Sequence, residues 1–413
     1  MKRYLITVLA IVSLVAVVAV ACAPAPEVVE KERAIKVGFN ATTTGPIAES
    51  SAPISWGTLA YLRYVNEKLG GVEYKDPVTG ETNKVKLDVI WEDNSLNVGR
   101  TIFVYKRQKA AEVDVMITIW TGPEAIASMV VRDRIPVLNI GAAAPSFMEL
   151  EPRYFTVYYG SVPEVNGVYF KFIKDTWTEA RPPKVGFMAM DVPAQRVAED
   201  PRWVPQYAKE LGIELLPFEW LPGAMIDSSV ELTRVAKQEP DWVIVNHAAA
   251  AVATVLKDAE RLGISEKLKI ITYSGGFHEG LIRVGGQLAE GVYGQVQTAL
   301  PGSDVPGIKL AREVVGEYRN EELTLSHLYG WVGAMGTVEG LRLALEEVGY
   351  ENLTSDVIND SIHRISDFDT GGITQLLTVD PDYPLLNPWV KFAVIEGGKF
   401  KMVSDWYKFP SLH

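Results

Sequence analysis

The chain has 413 residues, of which 47% are apolar and 22% charged, and its formal net charge at neutral pH is −12. This length is too great for one hydrophobic core and suits two domains, and the composition excludes disordered and fibrous classes of protein. Because no basic stripe is present to neutralise phosphates, we expect no nucleic-acid partner.

Residues 1–21 are typical of a signal peptide. Two basic residues precede a mostly apolar run over 4–20, and small residues lead up to Cys22, the only cysteine in the chain. This junction resembles the lipobox of bacterial lipoproteins, although Ala19 stands where leucine is preferred. We therefore predict lipid attachment at Cys22, membrane anchoring and an extracytoplasmic location, with residues 22–33 as an extended linker. The alternative is an uncleaved apolar anchor with an incidental cysteine.

Strands and helices are predicted to alternate through the next part of the chain. The pattern predicts strands over 35–40, 85–91, 115–119 and 136–140, and helices over 56–69, 100–111 and 125–132. Four strands that alternate with three helices predict a parallel α/β domain with right-handed crossovers.

Two turns in this domain are candidates for a ligand site. Thr121 and Glu124 form a capping-box pattern at the start of a helix, where unpaired backbone N–H groups can bind an anion. The segment 141–144, Gly-Ala-Ala-Ala, follows the next strand, and its small side chains would let a ligand touch the backbone. Open α/β sheets bind ligands where neighbouring strands end in this way. The alternative is that both turns serve only the fold.

A second series of strands and helices follows and predicts a second lobe. It comprises helices over 162–178, 203–211, 229–238 and 250–262 and strands over 184–190, 213–220, 242–246 and 268–272. An extended segment over 291–296 would return to lobe one, which helices over 308–318 and 328–348 would complete. Strands over 373–379 and 389–403 would cross back. The predicted fold class is therefore α/β, with two doubly wound parallel-sheet lobes.

Five short motifs occur in a recognisable order and spacing. They are Thr44-Gly45-Pro46-Ile47-Ala48, then Gly70-Gly71-Val72 after Asn66, Trp91-Glu92-Asp93, Ile135-Pro136-Val137 and Ala144-Pro145. Together they resemble the leucine/isoleucine/valine-binding protein family, and the resemblance extends from residue 34 nearly to the end of the chain. These are the type I solute-binding proteins of branched-chain amino acid ABC importers.

The resemblance implies a type I periplasmic binding protein fold. In this fold three crossovers join two lobes at a hinge, which restricts motion to a clamshell closure around the ligand. We place lobe one at 34–156 plus 298–376 and lobe two at 157–297 plus 377–413.

The resemblance also implies a set of ligand-binding positions. Thr121 and Gly122 fall at the family's carboxylate-holding serine, and 141–143 fall on its Ala-Ala-Thr turn, here without the threonine hydroxyl. Asp191 begins a loop where Ala194 replaces the usual aromatic residue. The predicted ligand-binding residues are Trp120, Thr121, Gly122, Gly141, Ala142, Ala143, Asp191, His247, Tyr273 and Ser274.

Ser274 departs from the family, which often has a glutamate there to pair with the ligand's ammonium. A buried cation without a partner is costly, so the ligand is predicted to differ from a standard α-amino acid unless Glu164, Asp191 or Glu279 points into the cleft. His247 could donate a hydrogen bond to the ligand or, alternatively, cap a helix. Aromatic residues that could stack on the ligand, with core or hinge packing as the alternative, are Trp120, Tyr158, Tyr159, Tyr273, Phe277 and Trp331.

The sequence contains no zinc motif, nucleophile elbow, phosphate loop or dinucleotide fingerprint. We therefore expect no enzyme activity, cofactor or metal. The predicted function is that of a solute-binding lipoprotein of an ABC importer, which closes on a small polar or carboxylate-bearing molecule (an amino acid, amide or aromatic acid) and delivers it to a membrane permease. The alternatives are a ligand-sensing receptor subunit of the same fold and a secreted enzyme with an interlobe active site.

Overall fold

The computed structural model describes residues 34–119, 123–380 and 382–412. The strands in this part of the chain are β1 (Ala34–Ala41), β2 (Val72–Lys75), β3 (Thr82–Asp93), β4 (Val115–Ile119), β5 (Val137–Ile140), β6 (Phe155–Val157), β7 (Lys184–Met190), β8 (Glu214–Leu221), β9 (Trp242–Asn246), β10 (Lys269–Thr272), β11 (Tyr293–Val296), β12 (Trp389–Glu396), β13 (Lys399–Met402) and β14 (Tyr407–Lys408).

The helices surround two sheets. They are α1 (Ala48–Glu67), α2 (Val98–Ala110), α3 (Pro123–Asp133), α4 (Pro145–Met148), α5 (Val162–Thr176), α6 (Pro193–Arg196), α7 (Val204–Glu210), α8 (Ser229–Ala236), α9 (Ala249–Arg261), α10 (Glu279–Gly285), α11 (Pro306–Arg319), α12 (Leu325–Val348) and α13 (Ser355–Ile362).

The first sheet is the centre of lobe one and has the strand order β2-β3-β1-β4-β5-β6. Strands β1, β4, β5 and β6 are parallel, and every residue of β4 and β5 is buried. Burial on both faces explains their continuous apolar sequences. The parallel register brings the carboxyl ends of β4 and β5 to one edge, which positions the two turns singled out in the sequence.

The second sheet is the centre of lobe two and has the order β13-β12-β11-β10-β9-β7-β8, with β14 paired to β12. Strands β7 to β11 are parallel, and β12 runs antiparallel to β11. The two lobes with parallel sheets confirm the predicted α/β fold class.

Helices α1 and α12 of lobe one lie so close together that glycine is required at the contact. A Cβ on Gly57 would lie 2.0 Å from the carbonyl oxygen of His327, and a Cβ on Gly330 would lie 1.9 Å from that of Ile54. No side chain fits at such a distance, so the packing of this helix pair depends on both glycines.

The predicted strand over 373–379 is wrong. Only Leu377 in this segment forms an isolated bridge, with Phe368, and the segment follows Gly371 and Gly372, which both have positive φ. An apolar run therefore packs here without a partner strand. The sequence interpretation also missed short elements, namely β2, β6, β14, α4, α6, α10 and α13.

The helices of the described part include none with the length and apolar character needed to cross a membrane.

Candidate functional site

One asparagine side chain ties together the segments that connect the lobes. In the described part of the chain these segments run from β6 to α5, from β11 to α11 and from α13 to β12. Asn387, in the last segment, is fully buried, and its Nδ2 donates to the hydroxyl of Tyr158 (3.2 Å) and to the carbonyl of Gln297 (3.1 Å), in the other two. Because the three connections meet at one point, motion between the lobes is restricted to bending there.

The turn after β5 is the part of the lobe-one wall that the structure describes. Gly141 and Ala143 are buried, and Ala142 is partly exposed. The carbonyl of Ala143 accepts a hydrogen bond from the amide of Val162 (3.0 Å), the first residue of α5. The turn is thereby fixed to the hinge, and Ala142 presents its backbone at the surface.

The other predicted lobe-one residues, Trp120, Thr121 and Gly122, lie outside the described residues. Glu124, the expected partner in their capping box, accepts a long hydrogen bond at Oε1 from the amide of Ala144 (3.4 Å). This contact connects the start of α3 to the turn after β5.

An open groove with a volume of about 910 Å³ lies between the lobes beside this turn. Its lobe-one side is formed by residues within 144–149, and its lobe-two side by residues within 193–203. This volume is of the size that accepts small ligands.

Asp191 follows β7 on the lobe-two side and is exposed. Its carboxylate forms a two-pronged ion pair with Arg196 (2.8 and 2.9 Å), which lines the groove, and the guanidinium lowers the pKa of Asp191. The carboxylate is therefore shared with an arginine instead of standing alone for a ligand cation.

The structure places His247 directly after β9, where it is buried. Its Nδ1 accepts from the amide of Ala248 (2.8 Å) at the start of α9, so Nε2 carries the proton and donates to the carbonyl of Pro222 (3.2 Å). Burial lowers the pKa of His247, which keeps the ring neutral. Both ring nitrogens thus have backbone partners in this structure, and the ligand-binding role of His247 stays a prediction.

Tyr273 and Ser274 follow β10 and lie next to the hinge. Tyr273 is partly exposed, whereas Ser274 is only 3% exposed and lies near the hydroxyl of Tyr159, in the connection from β6 to α5. Ser274 thus contacts the hinge at the position where the family often has a glutamate.

Two of the candidate stacking residues belong to the cores of the lobes. Trp331 is 1% exposed and packs edge-on against Tyr61 (ring centroids 4.9 Å apart) in lobe one. Phe277 is fully buried and lies against Gly294 and Phe400 in lobe two. For these two, core packing is the role that the structure shows.

The sequence interpretation missed several buried polar residues at the hinge. Gln295 in β11 and Gln297 just after it are fully buried, as are Tyr169 in α5 and Thr298. A glutamine within a buried strand, with a second glutamine directly after the strand, is an unusual signal that could have drawn attention to this segment. Nothing in the local pattern indicates what the other two residues contact.

Helix α10 of lobe two touches lobe one directly at two points, which the sequence did not indicate. Oε1 of Glu279 accepts from the amide of Leu325 (3.0 Å), the first residue of α12. Arg283 forms an ion pair with Glu49 of α1. Burial raises the pKa of Glu279. These contacts hold the two lobes against each other.

Among the residues that the structure describes, no three histidine, cysteine, aspartate or glutamate side chains are grouped as ligands for a metal ion.

The family model described as periplasmic binding protein matches residues 34–380. No curated protein sequence is significantly similar to this chain.

Several solved structures share the fold. A branched-chain amino acid ABC transporter protein from Thermus thermophilus with bound valine has a TM-score of 0.80 at 19% identity, covering 92% of this chain and 98% of that one. A fatty acid ABC transporter substrate-binding protein from Thermomonospora curvata has a TM-score of 0.76 at 16% identity, covering 92% and 94%. A solute-binding protein of an ABC transporter from Rhodopseudomonas palustris BisB5 in complex with 3,4-dihydroxybenzoic acid has a TM-score of 0.73 at 16% identity, covering 91% and 98%.

The family model covers the whole lobe-one sheet and strands β7 to β11 of lobe two, and it ends within the third connection between the lobes. The resemblance seen in the sequence leads to the same group of proteins. The chain therefore belongs to the periplasmic binding protein family.

Proposed function

We propose that this protein is the solute-binding subunit of an ABC importer, which closes its lobes on a small molecule outside the cytoplasm and delivers it to a membrane permease. The observation that carries the proposal is the hinge, where Asn387 joins all three connections beside the interlobe groove. A ligand that contacts both walls binds the closed state better than the open state and so shifts the population toward closure. Closure by ligand is the signal that such a subunit gives to its permease.

The ligand is a small polar or carboxylate-bearing molecule, such as an amino acid, an amide or an aromatic acid. The bound valine and 3,4-dihydroxybenzoic acid of the two relatives support this range, since both molecules carry a carboxylate. The carboxylate would bind at Thr121 and Gly122 and at the backbone of the 141–143 turn. The lobes that close on it would span 34–156 plus 298–376 and 157–297 plus 377–413.

We further propose that the protein is held at the membrane by a lipid on Cys22 after removal of residues 1–21. This segment lies outside the described residues, and the proposal is supported by the basic start, the apolar run and the small residues before the cysteine. Fractionation of cells that express the wild type and Cys22→Ser tests it. We expect the wild type in the membrane fraction at its processed size, and the variant either in the soluble fraction or still carrying residues 1–21. A variant found in the membrane fraction at the processed size would contradict the lipid anchor.

A thermal-shift panel of amino acids, amides and aromatic acids tests the transport function, because a ligand that binds only the native state raises the melting temperature. The matched variants are Ala142→Leu, which puts a side chain on the partly exposed turn, and Ala110→Leu, at an exposed position at the end of α2. We expect a shift in wild type and Ala110→Leu and its loss in Ala142→Leu. If no compound in the panel raises the melting temperature of the wild type, the result would count against a solute-binding role.

A further inference from the structure

A row of buried polar groups beside the hinge lacks hydrogen-bond partners. Both carboxamide atoms of Gln295 and of Gln297, and the hydroxyls of Tyr169 and Thr298, have no partner among the described residues, although each of these residues is 0% exposed. Leaving so many donors and acceptors unpaired in one place opposes folding. Their retention points to a molecule that pairs with them.

The register of the second sheet places Gln295 opposite Tyr169. Gln295 pairs with Phe392 across the antiparallel β11–β12 contact, and the Phe392 ring lies 6.2 Å from the Tyr169 ring on α5. On the other side, the parallel pairing of Thr272 with Gly294 brings Tyr273 next to Gln295. The carboxamide of Gln295 is therefore on the face of the sheet that α5 covers, between Tyr273 and Phe392.

These groups continue toward the contact between the lobes. The Tyr329 ring of α12, in lobe one, packs edge-on against Tyr159 (ring centroids 5.6 Å apart), and the Tyr329 hydroxyl lies near the backbone of Gln297. The strand register places Tyr273 beside Gln295, on the sheet face that α5 and Tyr169 cover. Burial raises the pKa of Tyr169, and the neighbouring Tyr273 and Tyr329 raise it further. These groups adjoin the predicted ligand residues Tyr273 and Ser274.

The unpaired groups themselves, on Gln295, Gln297, Tyr169 and Thr298, carry no charge that would neutralise a ligand ammonium. Of the three carboxylates that could replace the missing family glutamate, Glu164 accepts from the amide of Ser161 and the hydroxyl of Tyr383, both at 2.7 Å. Asp191 is paired with Arg196, and Glu279 accepts from the start of α12. The remaining groups are carboxamides and hydroxyls, which both donate and accept without charge.

We propose that Gln295, Gln297 and Tyr169 line the lobe-two end of the ligand site, and that the ligand end they hold is an uncharged hydrogen-bonding group, such as a carboxamide or a hydroxyl, and not an ammonium. This inference rests on the proposed solute-binding function. It narrows that function to ligands with one anionic and one neutral polar end.

The first test replaces each glutamine with methionine, which has a similar shape but no hydrogen-bonding groups. Without added ligand, Gln295→Met and Gln297→Met should melt at or above the wild-type temperature, because each removes unpaired buried groups. Gln206→Met, on an exposed position of α7, is the matched control. A lower melting temperature for either buried variant, relative to this control, would show that the glutamines are already paired in the free protein and would overturn the inference.

The second test compares probes that share a carboxylate and differ at the other end. Succinamate and 4-hydroxybenzoate have a neutral polar end, whereas 4-aminobutyrate, 4-(aminomethyl)benzoate and L-valine carry an ammonium. We expect the neutral-ended probes to bind the wild type more tightly, and the affinity to fall about tenfold or more in Gln297→Met with no change in Gln206→Met.

The possible outcomes distinguish failure of this inference from failure of the solute-binding function. Preference for the ammonium probes, or neutral-probe binding that Gln295→Met and Gln297→Met leave unchanged, would overturn this inference and leave the solute-binding function standing. If no probe binds the wild-type protein, the result would contradict both the proposed function and this inference.

Discussion

The ion pair between Glu49 of α1 and Arg283 of α10 joins the two lobes, and its removal should weaken closure without touching the ligand. The Arg283 side chain is 69% exposed and that of Glu49 31%, so water and salt screen the pair. Exposed pairs of this kind contribute about 0.2–1 kcal/mol. If the pair forms only in the closed state, Arg283→Ala should lower the closed-to-open ratio, and with it the apparent ligand affinity, by up to about fivefold.

Two measurements check this prediction. Small-angle scattering of the ligand-free protein should show a larger radius of gyration for Arg283→Ala than for the wild type. Calorimetric titration with the compound that gives the largest thermal shift should show the loss in affinity, and the loss should shrink as salt is added because screening already weakens the pair in the wild type.

The charge-reversed double variant Glu49→Arg/Arg283→Glu provides the decisive comparison, since it restores the attraction with the signs exchanged. The control is Arg234→Ala, which breaks an ion pair with Glu219 (2.7 Å) that lies entirely within lobe two. An equal loss of ligand affinity in Arg234→Ala would refute the prediction, and so would a double variant that binds as weakly as Arg283→Ala. Either result would show that ligand affinity does not depend on the interlobe ion pair.

Three further predictions concern stability. Burial lowers the pKa of His278 to about 4 from its ordinary 6.5, so the unfolding free energy should fall by up to about 3 kcal/mol as the pH drops through this interval. Denaturant titrations at several pH values should show a smaller fall for His278→Asn, whose side chain can still cap α10. The same dependence of unfolding free energy on pH in the variant and the wild type would refute the assignment to His278. Gly330→Ala should destabilise the protein by about 2–3 kcal/mol because its Cβ would meet a backbone carbonyl. Gly316→Ala, with open space around it in α11, should instead stabilise the protein by about 0.5–1 kcal/mol. Unfolding free energies from chemical denaturation that change in the same direction in both variants would contradict this prediction. Asn387→Leu should cost about 1–3 kcal/mol by leaving two buried acceptors without their donor, and a denaturation midpoint equal to that of the wild type would show that the asparagine does not hold the hinge.

The amino-acid sequence alone determined most of the local structure. The strands predicted over 184–190 and 242–246 have those bounds in the structure, because each is a short apolar run with clear turn signals on both sides. The small residues at 141–143 likewise indicated a turn at the edge of the sheet, and Ala142 is partly exposed there. The strand predicted over 373–379 is absent from the structure, since an apolar run can be buried without a partner strand.

Tertiary structure alone decided which groups from distant segments of the chain contact one another. His247 follows a strand as expected, but its two backbone partners appear only when the loop at Pro222 is placed beside it. Gln295 faces α5 because of its register with β12, and Glu49 meets Arg283 across 234 positions of the chain. Strands and turns follow from preferences over a few neighbouring residues, whereas the site depends on contacts between distant segments, which exist only after two lobes have packed about a common hinge.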